Sequence, residues 1–135
     1  MAIQLSIVAR NSMLDQFEVA VSTSAILSIK TLAQPASCAA AETGSVLAVL
    51  QLPSDWLAAA TGGSKALTGT WTTTSASITG TASHFRLYAS DGTTCHMQGT
   101  VTATGAGGDL TLDNTSVATG QSVTITSFSI TAGNA

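Results

Sequence analysis

The sequence predicts a mainly β domain, an antiparallel β-sandwich of the jelly-roll or Ig-like type with an N-terminal α-helix. Short runs rich in Thr, Ser and Val follow one another from residue 24 onward, and Gly, Asp and Asn separate them at intervals of about 8 to 12 residues. Only the first segment has helical periodicity. The 135 residues are most simply a single domain, with a helical segment over 1–23 and the sandwich over 24–135.

Four apolar residues of the N-terminal segment, together with Arg10, recur at spacings of three and four positions. The stripe consists of Ile7, Arg10, Leu14, Phe17 and Val21. This periodicity predicts a helix over residues 5–20. Asp15 and Glu18 fall outside the stripe.

The β strands are predicted from their composition and from the turn-forming residues between them. The predicted strands are 24–31, 45–52, 67–74, 75–81, 83–90, 94–103, 108–114 and 121–131. The run 45–52 is nearly all apolar, which predicts a strand buried on both faces. Pro35 and Gly44 indicate a loop between the first two strands, 53–60 predicts a helical turn with Ser54 as N-cap, and 61–65 a flexible connection.

The stretch 83–103 holds both histidines and Cys95, and it predicts a β-hairpin. Strand alternation places Phe85, Leu87, Cys95 and Met97 in the core, and His84, Arg86, Tyr88, His96 and Gln98 in an exposed outer row. A three-residue turn, 91–93, keeps the two faces unmixed, and a five-residue loop would keep the same parity. The three-residue turn pairs Phe85 with Gly99, Leu87 with Met97, Ala89 with Cys95, Arg86 with Gln98 and Tyr88 with His96.

The same alternation argues against a metal site or a catalytic site in this hairpin. Cys95 and His96 are adjacent in a strand, so they cannot share one metal ion without a β-bulge, and zinc needs three or four ligands. Asp91 sits in the turn, where its side chain is expected to hydrogen-bond locally. No nucleophile has a base and an orienting group within predicted reach. The sequence therefore predicts no catalytic residues, no metal and no cofactor, and a protein that is not an enzyme.

The composition predicts a protein that functions as part of an assembly. Charged residues make up 8% of the chain, Ser and Thr number 39, and the net charge is −3. The four basic residues are scattered, which argues against a nucleic-acid partner. No apolar run is long enough for a membrane span or resembles a signal segment, so we expect synthesis in the cytoplasm. Cys38 and Cys95 allow one disulfide, but a reducing compartment makes thiols the default.

Four segments, 1–25, 33–60, 83–105 and 108–135, resemble a family of small virion-associated proteins of tailed bacteriophages and prophages. The most specific pieces are LPSDW at 52–56, HFR at 84–86 and CHMQG at 95–99. The resemblance implies a structural protein in the virion, with no catalytic residues to carry over.

Two placements in the virion are open, and a third hypothesis belongs to another class. A capsid decoration (cement) protein suits a hydroxyl-rich β domain with a distinct N-terminal segment. A component of the tail, neck or a fibre would more often show a repeated or elongated stalk. A receptor- or glycan-binding module would expose aromatic residues, of which the chain has only six.

We expect the protein at the capsid surface, bound to the major capsid protein or other virion proteins, as a homo-oligomer and specifically a trimer. The helix would pack between copies or dock on the capsid. The interface candidates are Leu14, Phe17 and Val21 of the helix and His84, Arg86, Tyr88, His96 and Gln98 of the outer row. Neither nucleic acid nor a membrane is an expected partner.

Overall fold

The computed structural model describes residues 3–133. Within them, one helix, α1 (Ile7–Val21), precedes eleven strands: β1 (Ile26–Lys30), β2 (Val46–Gln51), β3 (Ser64–Ala66), β4 (Trp71–Thr73), β5 (Gly80–Thr81), β6 (His84–Tyr88), β7 (Cys95–Ala103), β8 (Leu110–Leu112), β9 (Ser116–Val117), β10 (Val123–Ile125) and β11 (Ser129–Thr131). The prediction of a mainly β protein with one N-terminal helix is confirmed.

Helix α1 begins after Ser6, whose side chain accepts a hydrogen bond from the backbone N–H of Ala9 at 3.1 Å. This N-cap satisfies one of the free N–H groups at the start of the helix. Leu14 and Val21 are buried, and Phe17 packs against the core, so the C-terminal half of the predicted stripe faces inward. Its first member, Ile7, is 56% exposed.

The largest sheet is a curled five-stranded half-barrel with the order β2-β1-β6-β7-β8. The first four strands pair antiparallel, whereas β7 and β8 run parallel. Parallel neighbours usually need a connection of a dozen or more residues, but here residues 104–109 suffice. Gly105 and Gly107 both have a φ of +86° in this turn, a conformation that glycine adopts without strain. The prediction of an antiparallel fold is wrong at this pair.

The remaining strands form three two-stranded antiparallel pairs, β10 with β4, β11 with β3, and β5 with β9. They do not divide clearly into the two facing sheets of a sandwich. The predicted strand 121–131 is split into β10 and β11, which pair with different partners. The predicted helical turn at 53–60 is wrong, because Leu57 bridges Leu67 in extended geometry. The predicted connection 61–65 runs into β3.

The hairpin of β6 and β7 has the predicted register over most of its length. The confirmed pairs are Phe85 with Gly99, Arg86 with Gln98 and Leu87 with Met97. A bulge then follows, and Tyr88 pairs with Cys95. The predicted pairing of Tyr88 with His96, and of Ala89 with Cys95, is therefore wrong, because His96 is the extra residue of the bulge.

The turn of this hairpin is organised by Asp91, as expected. The Asp91 carboxylate accepts hydrogen bonds from the backbone N–H groups of Thr93 and Thr94 at 2.8 and 2.9 Å, and from the Thr94 hydroxyl at 2.5 Å. The bonds from Thr94, followed by the bond from Thr93, hold the pKa of Asp91 well below its usual range.

One hydrophobic core joins the helix to the strands, and aromatic rings connect its parts. The rings contact in the order Phe17, Trp56, Trp71, Phe128 and Phe85, with centroids 5.4 to 6.3 Å apart. The Trp56 indole N–H donates to Ser22 O at 3.0 Å, so this large ring is buried with its polar atom satisfied. Both tryptophans are core residues. No helix within residues 3–133 is long and apolar enough to cross a lipid bilayer.

Candidate functional site

The outer face of β1 and β6 is polar and nevertheless buried. Its residues are Ser28, Lys30, His84, Arg86 and Tyr88, each at most 4% exposed. They alternate along the two strands with the apolar side chains that enter the core. We call this surface the covered face. Buried charged side chains are rare unless they are paired, so the partners of this face determine its role.

Residues 31–45, which connect β1 to β2, lie over the covered face, and we call them the covering loop. Its two ends are joined, because Thr31 N–H donates to Ser45 O at 3.0 Å and Ser45 N–H to the Thr31 hydroxyl at 2.9 Å. Gly44 has a φ of +70°, and a Cβ there would lie 1.9 Å from Thr31 O. Only glycine fits this position, so the loop closes on itself as Ω-loops do.

The side chain of Arg86 binds the middle of the covering loop through hydrogen bonds to the backbone of the loop. The Nη2 atom of Arg86 donates to the carbonyl oxygens of Ser37, Cys38 and Ala40 at 3.1, 2.8 and 3.2 Å. Nη2 carries two N–H groups, so the three carbonyls share them and at least one N–H is bifurcated.

Two further side chains bind the same loop. His84 Nδ1 lies 2.7 Å from Leu32 O, and because a carbonyl oxygen only accepts, Nδ1 carries the proton. Gln98 Nε2 donates to Pro35 O at 2.6 Å. The covering loop is thus bound along its length by side chains that the sequence places in one row.

An ion pair also joins the covered face to the covering loop. Lys30 Nζ lies 2.6 Å from Glu42 Oε2 in the covering loop, and the Tyr88 hydroxyl donates to the same carboxylate. The hydrogen bonds from Lys30 and then Tyr88 lower the pKa of Glu42. Burial, reinforced by the Glu42 carboxylate, raises the pKa of Tyr88 far above its usual range. Glu42 is therefore ionised, and Tyr88 protonated, at neutral pH.

The expected exposure of the outer row is wrong. His84, Arg86 and Tyr88 are buried beneath the covering loop, and His96 and Gln98 are half-buried. Alternation placed His84, Arg86, Tyr88 and Gln98 correctly on the face opposite the core, but it could not show what lies above that face. His84 Nε2, Arg86 Nε and Gln98 Oε1 have no hydrogen-bond partner among the described residues, which offsets part of the stabilisation that the other contacts give.

The bulge moves Cys95 from its predicted core position to the covered face. Cys95 pairs with Tyr88, and residues that pair directly across two strands share a face. Burial raises the pKa of the Cys95 thiol to about 11, and the neighbouring Cys38 thiol adds to the rise. Cys95 is thus a neighbour of Cys38 in the covering loop, although the two are far apart in sequence.

The helix is docked on the β domain by polar contacts as well as apolar ones. Lys65, 2% exposed, lies 2.7 Å from Asp15 and 2.8 Å from Glu18. The bond from Lys65 and one from the Ala60 backbone lower the pKa of Asp15. Burial alone would lower the pKa of Lys65, but the two carboxylates outweigh it and raise the pKa. Asp15 and Glu18 therefore face the β domain, although they fall outside the apolar stripe.

The helical interface candidates have an internal role. Leu14 and Val21 are 7% and 0% exposed, and Phe17 packs edge-on against Trp56. The apolar side chains that the N-terminal segment leaves in water are different ones. They are Ile3, Ile7, Val8, Met13 and Val19, all more than half exposed. Among them, Val8 and Val19 are three helical turns apart and so lie on the same side of α1.

The four basic side chains are engaged inside the protein. Lys30, Lys65 and Arg86 are buried with the partners described above, and Arg10 Nε donates to Ala132 O at 2.8 Å. Apart from the half-buried Arg10, the charged side chains that the described residues leave in water are therefore acidic. Among residues 3–133, no three His, Cys, Asp or Glu side chains lie close enough together to hold a metal ion.

Comparisons with protein-family models, with curated proteins and with solved structures found no match for this chain.

Proposed function

We propose that the protein is a structural protein of a phage virion and acts as a capsid decoration protein that binds the lattice of the major capsid protein. The observation that carries the proposal is the exposed aliphatic surface of the N-terminal segment. Beyond residue 19, large aliphatic side chains are exposed at only three described positions, Leu32, Val49 and Ile78. Apolar side chains gathered on one element and left in water are suited to contact another protein.

The charge distribution supports a protein lattice rather than nucleic acid as the partner. Phosphate contacts require basic side chains at the surface, and the lysines and arginines here are used internally. A surface rich in hydroxyl groups gives weak individual contacts. Repetition of such contacts over a lattice makes the total binding strong, since neighbouring copies raise the effective concentration.

The alternatives differ in the support that they receive. A tail, neck or fibre component could use the same N-terminal surface, so that placement stays as the second candidate. A glycan-binding module needs exposed rings on which sugars stack. Five of the six aromatic side chains are at most 7% exposed, and the sixth, Phe17, packs against the core.

We also propose that the small strand pairs act as the second layer of a sandwich over the five-stranded sheet. Trp71 of β4 and Ile125 of β10 belong to the same core as Phe85 and Leu87 of β6. Phe128, just before β11, stacks edge-on against Phe85 with centroids 5.9 Å apart. These contacts are those of two layers that share one core.

The docking proposal is tested with capsids assembled from the major capsid protein of the same phage or prophage. Val8→Gln and Val19→Gln replace apolar side chains without loss of helix propensity, and we expect each to weaken binding about 10-fold. Ile78→Gln, which changes an exposed aliphatic residue elsewhere, is the matched control and should bind normally. Failure of the unmodified protein to bind capsids, or equal loss in all three variants, would contradict the proposal.

Placement in the virion is tested by copy number. A decoration protein scales with the number of capsid subunits, whereas a neck or tail component is present in far fewer copies. Quantitative mass spectrometry of purified virions gives the ratio of this chain to the major capsid protein. Sedimentation of the free protein tests the expected trimer, and a stable monomer would contradict that expectation.

A further inference from the structure

We propose that Cys38 and Cys95 form an intramolecular disulfide that cross-links the covering loop to β7. The oxidant is a small-molecule disulfide such as oxidised glutathione. The inference concerns this chain alone and holds whether or not the protein binds a capsid. It adds a covalent modification to a region whose other contacts are hydrogen bonds and one ion pair.

The backbone geometry places both cysteines beside the Arg86 guanidinium. Cys38 lies in the covering loop, and its carbonyl oxygen is 2.8 Å from Arg86 Nη2. Cys95 pairs with Tyr88, two residues after Arg86 on the same face of β6. The bulge at His96 is what brings Cys95 to this face, because regular pairing would point its side chain into the core.

The side chains complete the juxtaposition. The Cys38 thiol lies near enough to the Cys95 thiol to raise its pKa, and the Cys95 thiol donates to Met97 O at 3.5 Å. Both residues are half-buried rather than enclosed, so a small disulfide can reach them. Neighbouring thiols on two chain segments, one of them a loop, are the starting arrangement for a disulfide.

The chemistry is thiol–disulfide exchange. The Cys38 thiolate attacks one sulfur of the small disulfide, forms a mixed disulfide and releases one thiol. The Cys95 thiolate then attacks the Cys38 sulfur and releases the second thiol. The protein loses two electrons and two protons in total, and the small disulfide is reduced to two thiols. Because the thiolate is the attacking species in both steps, the exchange becomes faster as the pH rises.

The cross-link would stabilise the folded state and restrict the covering loop. It joins segments far apart in sequence, and closing a long loop in the unfolded chain raises stability most. We expect the oxidised protein to melt more than about 5 °C above the reduced one. We also expect slower hydrogen exchange at residues 31–45, since loop opening then requires reduction.

The test uses the full chain, reduced and then incubated with oxidised glutathione. We expect the intact mass to fall by two hydrogen atoms, both thiols to resist alkylation, and peptide mapping to find Cys38 joined to Cys95. Cys38→Ser and Cys95→Ser should each gain at most one glutathione and show no rise in melting temperature. A wild-type protein that gains two glutathiones, forms only intermolecular dimers, or keeps two alkylatable thiols overturns the proposal.

Discussion

The two faces of β6 are buried to the same extent by different means. Phe85 and Leu87 are 1% and 0% exposed and pack among apolar side chains of the core. Arg86, between them, is 2% exposed, and it is removed from water by the chain's own covering loop. One face is stabilised by the hydrophobic effect. The other is stabilised by hydrogen bonds that satisfy the backbone of a long connection.

The difference shows that alternation along a strand predicts which face is polar and which is apolar. It does not predict whether the polar face is exposed to solvent. A polar face is usually a solvated face. Here 15 residues between two adjacent strands supply carbonyl groups that need donors, and the polar row supplies those donors. The variants below separate the contributions of the two faces.

The largest effect is expected at the apolar face, from Phe85→Ala. The ring contacts Phe128, and a Cβ at Gly99 would lie 2.8 Å from its edge, so the site is closely packed. Truncation leaves a cavity and should lower the free energy of unfolding by about 4 kcal/mol. Urea denaturation measures the change. Val49→Ala, at a site 45% exposed, is the control and should cost less than about 1 kcal/mol.

The covered face is tested by Arg86→Leu, which keeps much of the side-chain volume and removes the N–H groups of the guanidinium. Three carbonyl oxygens lose their partner, so we expect a loss of about 2 to 3 kcal/mol. Hydrogen exchange should accelerate at residues 31–45 and remain slow in β1 and β6. Arg10→Leu, which removes one hydrogen bond to Ala132, is the control. If hydrogen exchange accelerated equally over the whole chain, the covering loop would not open independently of the rest of the protein.

The closure of the covering loop is tested by Gly44→Ala. The added Cβ would overlap Thr31 O and would also have to accept a positive φ, so we expect a loss of about 2 kcal/mol or more. Gly62 has a similar φ of +61° with open space around it. Gly62→Ala should therefore cost only the conformational part, about 1 kcal/mol. Equal losses in the two variants would mean that contact with Thr31 contributes nothing.

The smallest effect is expected from the ion pair of the covered face. The folded-state pKa of Glu42 is lowered, so its contribution is complete above the usual carboxyl pKa and is lost as pH falls through the folded value. Because Glu42 is half exposed, we expect about 1 kcal/mol or less. Glu42→Gln should flatten the acid limb of a stability-versus-pH curve. Asp55→Asn, at another exposed acid, serves as control, and an identical acid limb in Glu42→Gln would contradict the assignment.

The sequence predicted a mainly β protein with one N-terminal helix and most of the hairpin register, because these follow from local periodicity. Leu14, Phe17 and Val21 recur at helical spacing and face inward in their own helix. The roles of Lys65 and Arg86 were not predicted. Each depends on a partner far along the chain, Asp15 in one case and the covering loop in the other. The bulge at His96 was missed as well, since nothing in the local pattern distinguishes it from regular alternation.

The internal use of every lysine and arginine has a consequence for proteolysis. Trypsin must take a lysine or arginine side chain into its specificity pocket, with the adjoining backbone extended. Lys30, Lys65 and Arg86 are at most 2% exposed, and Arg10 lies within α1 and donates to Ala132 O. The native protein therefore offers trypsin no ready cleavage point within residues 3–133. Its survival in trypsin measures how often the whole structure opens.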